Sequence, residues 1–287
     1  MDKSILFIHN PISGGKRNNF LTVFNSKKNN FPKAKVISTT HKGHATDIAT
    51  QNKHNFDIIV AVGGDGTVHE IASALVNTST PMGIIPQGSG NGFSNHLGIS
   101  SNTTRALNQL KSGTTKLVDT VQINQKKSVN VAGIGFDGHI ASLFDKTKRR
   151  GLWSYVRLVV TEFFKYKEFD FSLTSGIENI KDKAFIIAFA NSSQYGNHFQ
   201  IAPNAKSDDG LLNVMILKKP AILAIPLIVW KMFNGKQISS NYCKELIGSN
   251  FIITHEQSSV QLDGEPVALG SNTLHVEIKP KSLKVIC

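Results

Sequence analysis

Apolar residues follow two different spacings along this chain. In the first 120 residues, short apolar runs alternate with stretches in which apolar residues recur at helical intervals. The apolar runs predict strands over residues 4–9, 34–38, 57–62 and 82–85. The stretches with helical spacing predict helices over residues 16–30, 44–53 and 67–77. Strands that alternate with helices pair in parallel, and ligands bind beyond the carboxyl ends of such strands.

After about residue 120 the pattern changes to short strands joined by hairpin-type turns. Strands are predicted over residues 116–123, 128–131, 184–191, 211–217, 260–262 and 273–278, and helical spacing interrupts them at roughly 137–166 and 221–234. We expect an N-terminal three-layer α/β domain over residues 1–120 and a second, mainly antiparallel β-sandwich-type domain over 121–279. The cleft between them is the expected ligand site, and the pattern leaves open whether residues 280–287 return to the first domain.

Composition excludes several classes of protein. With 40% hydrophobic and 18% charged residues, the chain is expected to be globular rather than disordered or coiled-coil. The two cysteines, Cys243 and Cys287, indicate no disulfide framework and fit a reducing compartment. The N-terminal apolar run is too short for a secretory signal, and the run 221–230 is about half of the ~20 residues that a membrane-spanning helix needs. We therefore expect a cytoplasmic protein.

Positive charge narrows the choice of partners. The chain has 32 lysines and arginines against 20 aspartates and glutamates, a net charge of +12. Such a surface attracts nucleic acid, anionic lipid or phosphorylated small molecules. Because no recognised nucleic-acid module accompanies the charge, we expect no nucleic-acid partner.

Three predicted strands of the first domain end in loops of one kind. These are NPISGGK at 10–16, GGDGT at 63–67 and PQGSGNG at 86–92. The spacing fits neither a P-loop, because Arg17 stands where serine or threonine is required, nor a dinucleotide fingerprint, because Gly92 comes too early. Glycine nevertheless lets the backbone approach a ligand closely, and bare N–H groups bind phosphate oxygens. Three such loops at one sheet edge predict a phosphate-binding cradle.

In this order, the three loops resemble the catalytic region of the diacylglycerol kinase and sphingosine kinase family of lipid kinases, which shares its glycine–aspartate loop with NAD kinases and phosphofructokinases. The resemblance continues through LVDTV (117–121), AGIGFDGHIA (132–141), APNAKSDDGLLNVMIL (202–217) and LDGEPV (262–267). It implies an NAD kinase/phosphofructokinase-like nucleotide-binding domain. It also implies ATP-dependent, Mg²⁺-requiring transfer of the γ-phosphoryl group to a membrane lipid hydroxyl, with diacylglycerol as the first candidate.

The resemblance implies a set of residues that line the ATP site. These are Asn10, Lys16, Gly63, Gly64, Gly66, Thr67, Gly88, Ser89 and Asn91. Their types suit crowded phosphate oxygens, because bare amides and small hydroxyl or amide groups add no bulk. Lys16 either adds a point charge to the phosphates or is a solvated lysine at a helix start. Glu70 is expected to brace the loop rather than to contact the substrate.

A lipid hydroxyl is a poor nucleophile at neutral pH, so a carboxylate is expected within hydrogen-bonding distance of it. Resemblance to the bacterial diacylglycerol kinase branch implies that Asp263 is the base, with Glu265, Asp119 and Asp65 in a network around Mg²⁺ and its waters. Resemblance to the sphingosine kinase branch implies instead that Asp65 activates the hydroxyl. Asp263 is our first choice, although Asp-Gly is also the preferred two-residue hairpin turn.

The resemblance implies a structural Mg²⁺ at the segment KSDDG. The family places it beside Asp209, with the carbonyl oxygens of Lys206 and Leu211 as further ligands, and this set suits a hard cation. One position departs from the family pattern, because many bacterial members have an aspartate where this chain has Gly92. The proposed network of metal and water therefore has one carboxylate fewer in this chain. Asp137, in the segment FDG, is expected to cap the helix that follows.

The stretch 146–167 combines basic and aromatic residues, which predicts contact with an anionic membrane surface. The residues are Lys146, Lys148, Arg149, Arg150, Arg157, Lys165 and Lys167, with Trp153, Tyr155, Phe163, Phe164 and Tyr166. Apolar residues in the stretch also recur at helical spacing, namely Val156, Val159, Val160, Phe163 and Phe164. We expect this stripe to pack inward while the basic flank contacts phospholipid, so that the protein is peripherally membrane-associated.

Other interpretations stay open. One is a kinase for a sphingoid base, ceramide or another lipid, and a further one is a non-catalytic lipid- or nucleotide-binding protein on the same scaffold, which would need no such set of acids. A kinase of the NAD kinase type is disfavoured because its Asn-Asn-Glu element is absent. The histidines, including His41, His44, His54 and His69, lack ligand-like spacing and are expected to be surface or packing residues. The sequence does not decide whether the protein is a homodimer.

Overall fold

The computed structural model describes residues 3–15, 18–147, 152–176, 178–239 and 241–287. The α-helices are α1 Phe20–Ser26, α2 His44–Asn52, α3 Asp65–Leu75, α4 Gly92–His96, α5 Thr103–Ser112, α6 Phe136–Asp145, α7 Leu152–Lys165 and α8 Ile225–Phe233. The strands are β1 Ile5–His9, β2 Ala34–Ser38, β3 Ile58–Gly63, β4 Met82–Pro86, β5 Thr115–Ile123, β6 Lys126–Ser128, β7 Val131–Gly135, β8 Phe169–Ser175, β9 Glu178–Ala184, β10 Ile186–Ala190, β11 Gln194–Gly196, β12 Phe199–Gln200, β13 Leu212–Leu217, β14 Cys243–Gly248, β15 Asn250–His255, β16 Ser259–Leu262, β17 Glu265–Ala268 and β18 Thr273–Ile286. Short 3₁₀ helices cover Lys28–Asn30 and Ile222–Ala224.

The N-terminal domain is built on a parallel sheet in the order β2-β1-β3-β4. Every residue of β1, β3 and β4 is buried, as expected when helices cover both faces of a parallel sheet. Aromatic packing fixes the position of α1, since the ring of Phe7 on β1 lies 5.5 Å from that of Phe20 and 5.0 Å from that of Phe24.

The long strand β18 belongs to both halves of the molecule. Near its end Val285 pairs in parallel with Met82 of β4, while its first residues pair antiparallel with β15. It also runs antiparallel to β5, with an irregularity between Lys279 and Leu283 where Lys281 has a φ of 52°. The strand therefore joins the parallel sheet to the C-terminal strands in one ten-stranded sheet.

The C-terminal half is an antiparallel β-sandwich. A six-stranded sheet in the order β14-β13-β10-β7-β16-β17 faces β5, β8, β15 and β18 across a shared apolar core. Ile134 and Phe189 enter this core from the first sheet, and Phe251 and Leu274 enter it from the second. The predicted fold class, an α/β domain followed by a mainly antiparallel β-sandwich, is confirmed.

Several predicted elements differ in extent from the observed ones; for example, the strand predicted over 273–278 continues to Ile286. The single strand predicted over 128–131 is two strands, because β6 ends at Ser128 and β7 begins at Val131. The N–H groups between them bond to a carboxylate, described below, instead of to a neighbouring strand. The helical stretch predicted over 137–166 is divided into α6 and α7.

Candidate functional site

The three glycine-rich loops meet at the carboxyl ends of β1, β3 and β4. Ser13 Oγ accepts a hydrogen bond from the N–H of Gly64 at 3.2 Å. A Cβ built on Gly88 would lie 2.5 Å from the Cα of Gly64, and one on Gly14 would lie 2.2 Å from the carbonyl oxygen of Gln87. Side chains at these glycines would push the loops apart. The loops therefore form one continuous backbone surface.

Hydrogen bonds from two asparagines hold this surface together. Asn10 Nδ2 donates to Thr67 Oγ1 at 3.2 Å, which ties the first loop to α3. Asn91 has a left-handed backbone, with a φ of 51°, and its side chain bonds to the N–H and the carbonyl of Gly88 at 3.0 and 2.8 Å. Gly63 is needed beside Thr67, because a Cβ there would lie 2.4 Å from Thr67 Oγ1.

The remaining predicted nucleotide-binding residues are placed as follows. Ser89 is exposed in the third loop. Gly66 lies in the first turn of α3. Lys16 lies outside the described residues, so its role as a phosphate ligand stays a prediction.

Asp65 begins α3 and is held by the backbone of the third loop. Its Oδ1 accepts a hydrogen bond from the N–H of Gly92 at 2.7 Å, and its Oδ2 accepts one from the N–H of Asn91 at 2.8 Å. Burial raises the pKa of the carboxyl group to about 6, although these two hydrogen bonds lower it, and the nearby charge of Asp263 adds to the increase. Asp65 therefore changes its charge close to neutral pH.

Asp263 lies in the turn between β16 and β17 with a φ of 52°, and its carboxylate is enclosed by donors. Oδ1 accepts hydrogen bonds from Ser128 Oγ at 2.5 Å and from the N–H of Asn130 at 2.8 Å. Oδ2 accepts them from His69 Nδ1 at 2.7 Å and from the N–H of Val129 at 3.0 Å. Burial alone would raise its pKa, but His69 and the other donors outweigh burial and lower it. Asp263 is therefore held as a carboxylate.

Glu265 links the second domain to the first. Its Oε2 lies 2.6 Å from Lys42 Nζ, which belongs to the loop before α2. A Cβ built on Gly66 would lie 2.9 Å from Glu265 Oε1, so the glycine lets the two domains approach. Asp65, His69, Asp263 and Glu265 form what we call the acid–histidine cluster, which spans the interface between the domains.

The prediction that His69 is only a surface or packing residue is wrong, because its Nδ1 is paired with Asp263. Burial would lower the pKa of His69, but the Asp263 carboxylate outweighs burial and holds it above the ordinary value of 6.5. The His69 side chain is 19% exposed, and within the described residues no hydrogen bond engages its Nε2. Nε2 is therefore free to bond to a ligand or to water. The four-residue spacing from Asp65 is the signal in the sequence that places both on one face of α3.

The structure does not bring Asp119 into the acid–histidine cluster. Its Oδ1 accepts a hydrogen bond from the N–H of Lys281 and its Oδ2 one from the N–H of Gly210, both at 2.7 Å. The predicted role of Asp119 in a network with Asp65 around Mg²⁺ stays a prediction. The side chain is fully buried and fastens the segment KSDDG to β18, and both of its oxygens are already engaged.

The predicted structural metal site lies next to Asp119. Asp209 is exposed, and its Oδ1 accepts a hydrogen bond from the N–H of Leu211 at 3.0 Å. Lys206 is exposed at the start of the same loop. Over the described parts of the chain, no group of three or more His, Cys, Asp or Glu residues is arranged to hold a metal. A cation here would depend on one carboxylate, backbone carbonyls and water, so Mg²⁺ at this loop stays a prediction.

Asp137 is not a helix cap, contrary to the prediction. It lies inside the first turn of α6, and Gly135 occupies the capping position. Its carboxyl group is buried between Gln261 Nε2 at 3.2 Å and Tyr195 Oη at 3.3 Å. Burial raises its pKa to about 7 against these hydrogen bonds. Asp137 is therefore a partly buried acid that is linked through Gln261 to the turn that carries Asp263.

Replacing Asp137 by asparagine is expected to flatten the pH dependence of stability. A carboxyl group with a pKa of 3.8 when unfolded and about 7 when folded binds its proton more tightly in the native state. Its contribution to stability is present below pH 4 and is lost as the pH rises to 7, a change of roughly 4 kcal/mol. The variant lacks this titration, so urea unfolding at pH 5 and pH 8 should differ less than in wild type. An equal difference in both proteins contradicts the assignment.

Gly92 allows close contact between the third loop and the second domain. A Cβ at this position would lie 2.5 Å from the carbonyl oxygen of Tyr195 and 2.7 Å from Asn130 Nδ2. Next to it, Asn91 forms an isolated β-bridge with Gly196. The glycine therefore closes the domain interface beside Asp65.

Glu70 braces a different loop from the one predicted. Its Oε1 accepts a hydrogen bond from the N–H of Gly43 at 2.9 Å, and its Oε2 accepts one from the N–H of Ala45 at 3.0 Å. These contacts fix the N-terminus of α2 and the loop that carries Lys42.

Two family models match successive parts of the chain. The model of the diacylglycerol kinase catalytic domain matches residues 4–123. The model of the YegS C-terminal NAD kinase beta sandwich-like domain matches residues 130–287.

Individual relatives are distant. The diacylglycerol kinase of Bacillus subtilis is 26% identical over 279 residues, which cover 92% of this chain and 90% of the relative. An uncharacterized protein of Synechocystis is 31% identical over 235 residues, which cover 79% of this chain. The chain spans 54% and 58% of the length of the first two curated relatives that it matches.

Solved structures support the fold. A diacylglycerol kinase from Bacillus anthracis superposes with a TM-score of 0.77 at 22% identity, covering 100% of this chain and 97% of the other. An NAD kinase from Archaeoglobus fulgidus in complex with ATP superposes with a TM-score of 0.53 at 13% identity, covering 99% and 93%.

Proposed function

Because the chain belongs to the diacylglycerol kinase catalytic-domain family of YegS-like lipid kinases, we propose that it transfers the γ-phosphoryl group of ATP to a hydroxyl group of a membrane lipid. The observation that carries this proposal is the acid–histidine cluster. It joins α3, which begins in the second glycine-rich loop, to the turn at Asp263 across the domain interface. Diacylglycerol is the first candidate substrate, followed by sphingoid bases and ceramide.

The glycine-rich loops are suited to bind the phosphates of ATP, and the carboxylates are suited to bind a divalent cation. Backbone amides and small polar groups approach phosphate oxygens without bulk, which fits Asn10, Thr67, Asn91 and the glycines around them. Bound Mg²⁺ would neutralise charge on the transferring phosphoryl group. Glu265 is the acidic side chain of the cluster that would hold it with water, since the oxygens of Asp65 and Asp263 already accept hydrogen bonds.

The proton of the lipid hydroxyl is proposed to pass to His69 Nε2. Asp263 was our first choice for this role, but four donors occupy its oxygens and its side chain is 2% exposed. Its bond to Nδ1 instead orients the imidazole ring, so that Nε2 is the accessible proton acceptor. Asp65 remains the alternative base, because its pKa of about 6 suits proton transfer near neutral pH.

The proposed activity is tested by incubating the full chain with labelled ATP, Mg²⁺ and mixed micelles of one lipid at a time. Diacylglycerol, sphingosine and ceramide are compared, and NAD is included as a soluble acceptor. We expect label in a lipid product and its loss in Asp65→Asn. Lipid binding without transfer of label would identify a non-catalytic binder, and labelled NAD would identify a kinase of the other type.

Replacing His69 by glutamine is expected to lower kcat by about 10²–10⁴-fold. Glutamine keeps a hydrogen bond to Asp263 but accepts no proton. In wild type, log kcat should fall as the pH drops below the pKa of His69, because the neutral imidazole is the required form, and this limb should vanish in the variant. The matched control is His54→Gln, which changes an exposed histidine. An unchanged pH profile in His69→Gln would assign the base to another group.

A further inference from the structure

The exposed side of the segment 221–233 is almost entirely apolar. It comprises the 3₁₀ helix Ile222–Ala224 and α8. Its exposed large apolar residues, which we call the α8 surface, are Ile222, Leu223, Leu227, Val229, Trp230 and Phe233. Leu223 is 94% exposed. Contiguous apolar surface of this kind marks a site of interaction with a protein or a membrane.

The opposite side of α8 is firmly packed, so the exposure is not a loose helix end. Met232 is buried and Ile228 packs beside it in the core under β10 and β13. The ring of Phe233 lies 5.2 Å from that of Phe199 on β12. The helix therefore presents an apolar face from a fixed position.

Charge around the α8 surface favours an anionic partner. Between Asp209 and Glu245 the chain has no acidic residue, while Lys231 lies on α8 and Lys236 follows it closely. Lys236 Nζ lies 4.6 Å from the ring centroid of Trp230. A tryptophan beside lysine, at the edge of an apolar face, is typical of helices that lie in a membrane interface.

Helix α7 also has exposed apolar residues. Val156, Val160 and Phe164 are exposed there, so the prediction that the whole stripe packs inward is wrong. Val159 and Phe163 are the part that packs inward, against Phe136 and Phe185. Lys148, Arg149 and Arg150 of the predicted basic flank lie outside the described residues, as does the side chain of Trp153.

A single lysine connects the two helices. Lys219 Nζ lies 5.0 Å from the ring centroid of Phe163 on α7 and donates to the carbonyl of Tyr166 at 2.7 Å. Lys219 itself precedes the α8 surface by three residues. Lys219 therefore ties the end of α7 to the segment that leads into α8.

We infer that the α8 surface inserts into an anionic lipid bilayer and that the lysines around it contact lipid phosphates. The choice of a bilayer rests in part on the proposed function, because a lipid kinase meets its substrate there. None of the described helices is long and apolar enough to cross a membrane, and the inference concerns binding at the interface only. Phe199, against which α8 packs, belongs to the β11–β12 hairpin whose Gly196 pairs with Asn91. Helix α8 is thus linked through the β11–β12 hairpin to the loop that holds Asp65.

The test is flotation of the full chain with vesicles of phosphatidylcholine, with and without phosphatidylglycerol. Wild type should float with the anionic vesicles. The Leu223→Gln/Leu227→Gln double variant should bind them at least about ten-fold more weakly, since two exposed leucines no longer enter the bilayer. Ile247→Gln is the matched control, because Ile247 is an exposed apolar residue on β14 outside the surface. Circular dichroism checks that both variants are folded.

Two further measurements separate the possible outcomes. Wild-type binding by the double variant, or no binding of wild type to anionic vesicles, overturns the inference. A double variant that binds vesicles normally but has lost a dimer seen in wild type shows that a second copy occupies the surface, which also overturns it. Kinase activity on a short-chain diacylglycerol in free solution should be unchanged in the double variant. If wild type floats but no lipid is ever phosphorylated, the docking inference stands and the proposed function fails.

Discussion

Asp263→Asn is expected to lose about 3–5 kcal/mol of unfolding free energy, because it removes one charge of a buried pair. It is also expected to lose at least ~10²-fold in kcat. Both oxygens of the carboxylate accept hydrogen bonds, from Ser128, Val129, Asn130 and His69. In asparagine an NH₂ group replaces one of these oxygens, and it would face N–H or O–H donors with which it cannot form a hydrogen bond. His69 would lose the charge that orients it. Urea unfolding measures the first effect and lipid phosphorylation the second.

The control for this substitution is Asp170→Asn, which changes a carboxylate on β8 whose side chain is 75% exposed. It should alter stability by less than about 0.5 kcal/mol. If Asp263→Asn is as stable and as active as this control, the carboxylate neither holds β6 to β7 nor orients His69. If it is destabilised but keeps its kcat when folded, only the catalytic role is refuted.

Gly92→Asp is expected to inactivate the protein rather than to improve it. The substitution introduces the acid that many bacterial members of the family carry, so sequence comparison alone suggests a gain. In this chain the new Cβ would lie 2.5 Å from the carbonyl oxygen of Tyr195, a backbone atom that no rotamer change can move. We expect a loss of about 1–3 kcal/mol in unfolding free energy from overpacking and a fall of ~10²-fold in activity as the cluster separates.

The matched control is Gly270→Asp, since a Cβ at Gly270 has no atom within 4 Å. It adds the same charge and should leave stability and activity near wild type. Equal or higher activity in Gly92→Asp would mean that the contact with Tyr195 yields easily. The aspartate would then be compatible with this scaffold.

Local patterns were enough to predict most of the fold. Strands buried on both faces are continuous apolar runs, and β1, β3 and β4 were predicted within a residue or two on that basis. The interruption of the strand predicted over 128–131 was not predictable in this way. It depends on Asp263, which is distant in sequence, drawing the N–H groups of Val129 and Asn130 away from strand pairing.

The parts of the site that backbone groups form could be predicted from the sequence. The parts that depend on contacts between residues distant in sequence could not. The glycine-rich loops follow their strands directly, so their convergence follows from a parallel sheet. Asp119 illustrates the opposite case, because only the return of β18 brings the N–H of Lys281 to its carboxylate. The four-residue spacing between Asp65 and His69 indicates that both lie on one face of a helix. The pairing of His69 with Asp263 could not be predicted, because Asp263 lies 194 residues away in the chain.

The shared strand β18 also has a consequence for synthesis on the ribosome. The edge of β4 is completed by Val285, about two hundred residues after Met82 has been made. Until then the nascent N-terminal sheet has an unpaired edge of apolar residues, and such edges recruit other strands. The growing chain is therefore expected to need protection by a chaperone until β18 has emerged from the ribosome. In the folded protein β18 covers the edge of β4, so the need is gone.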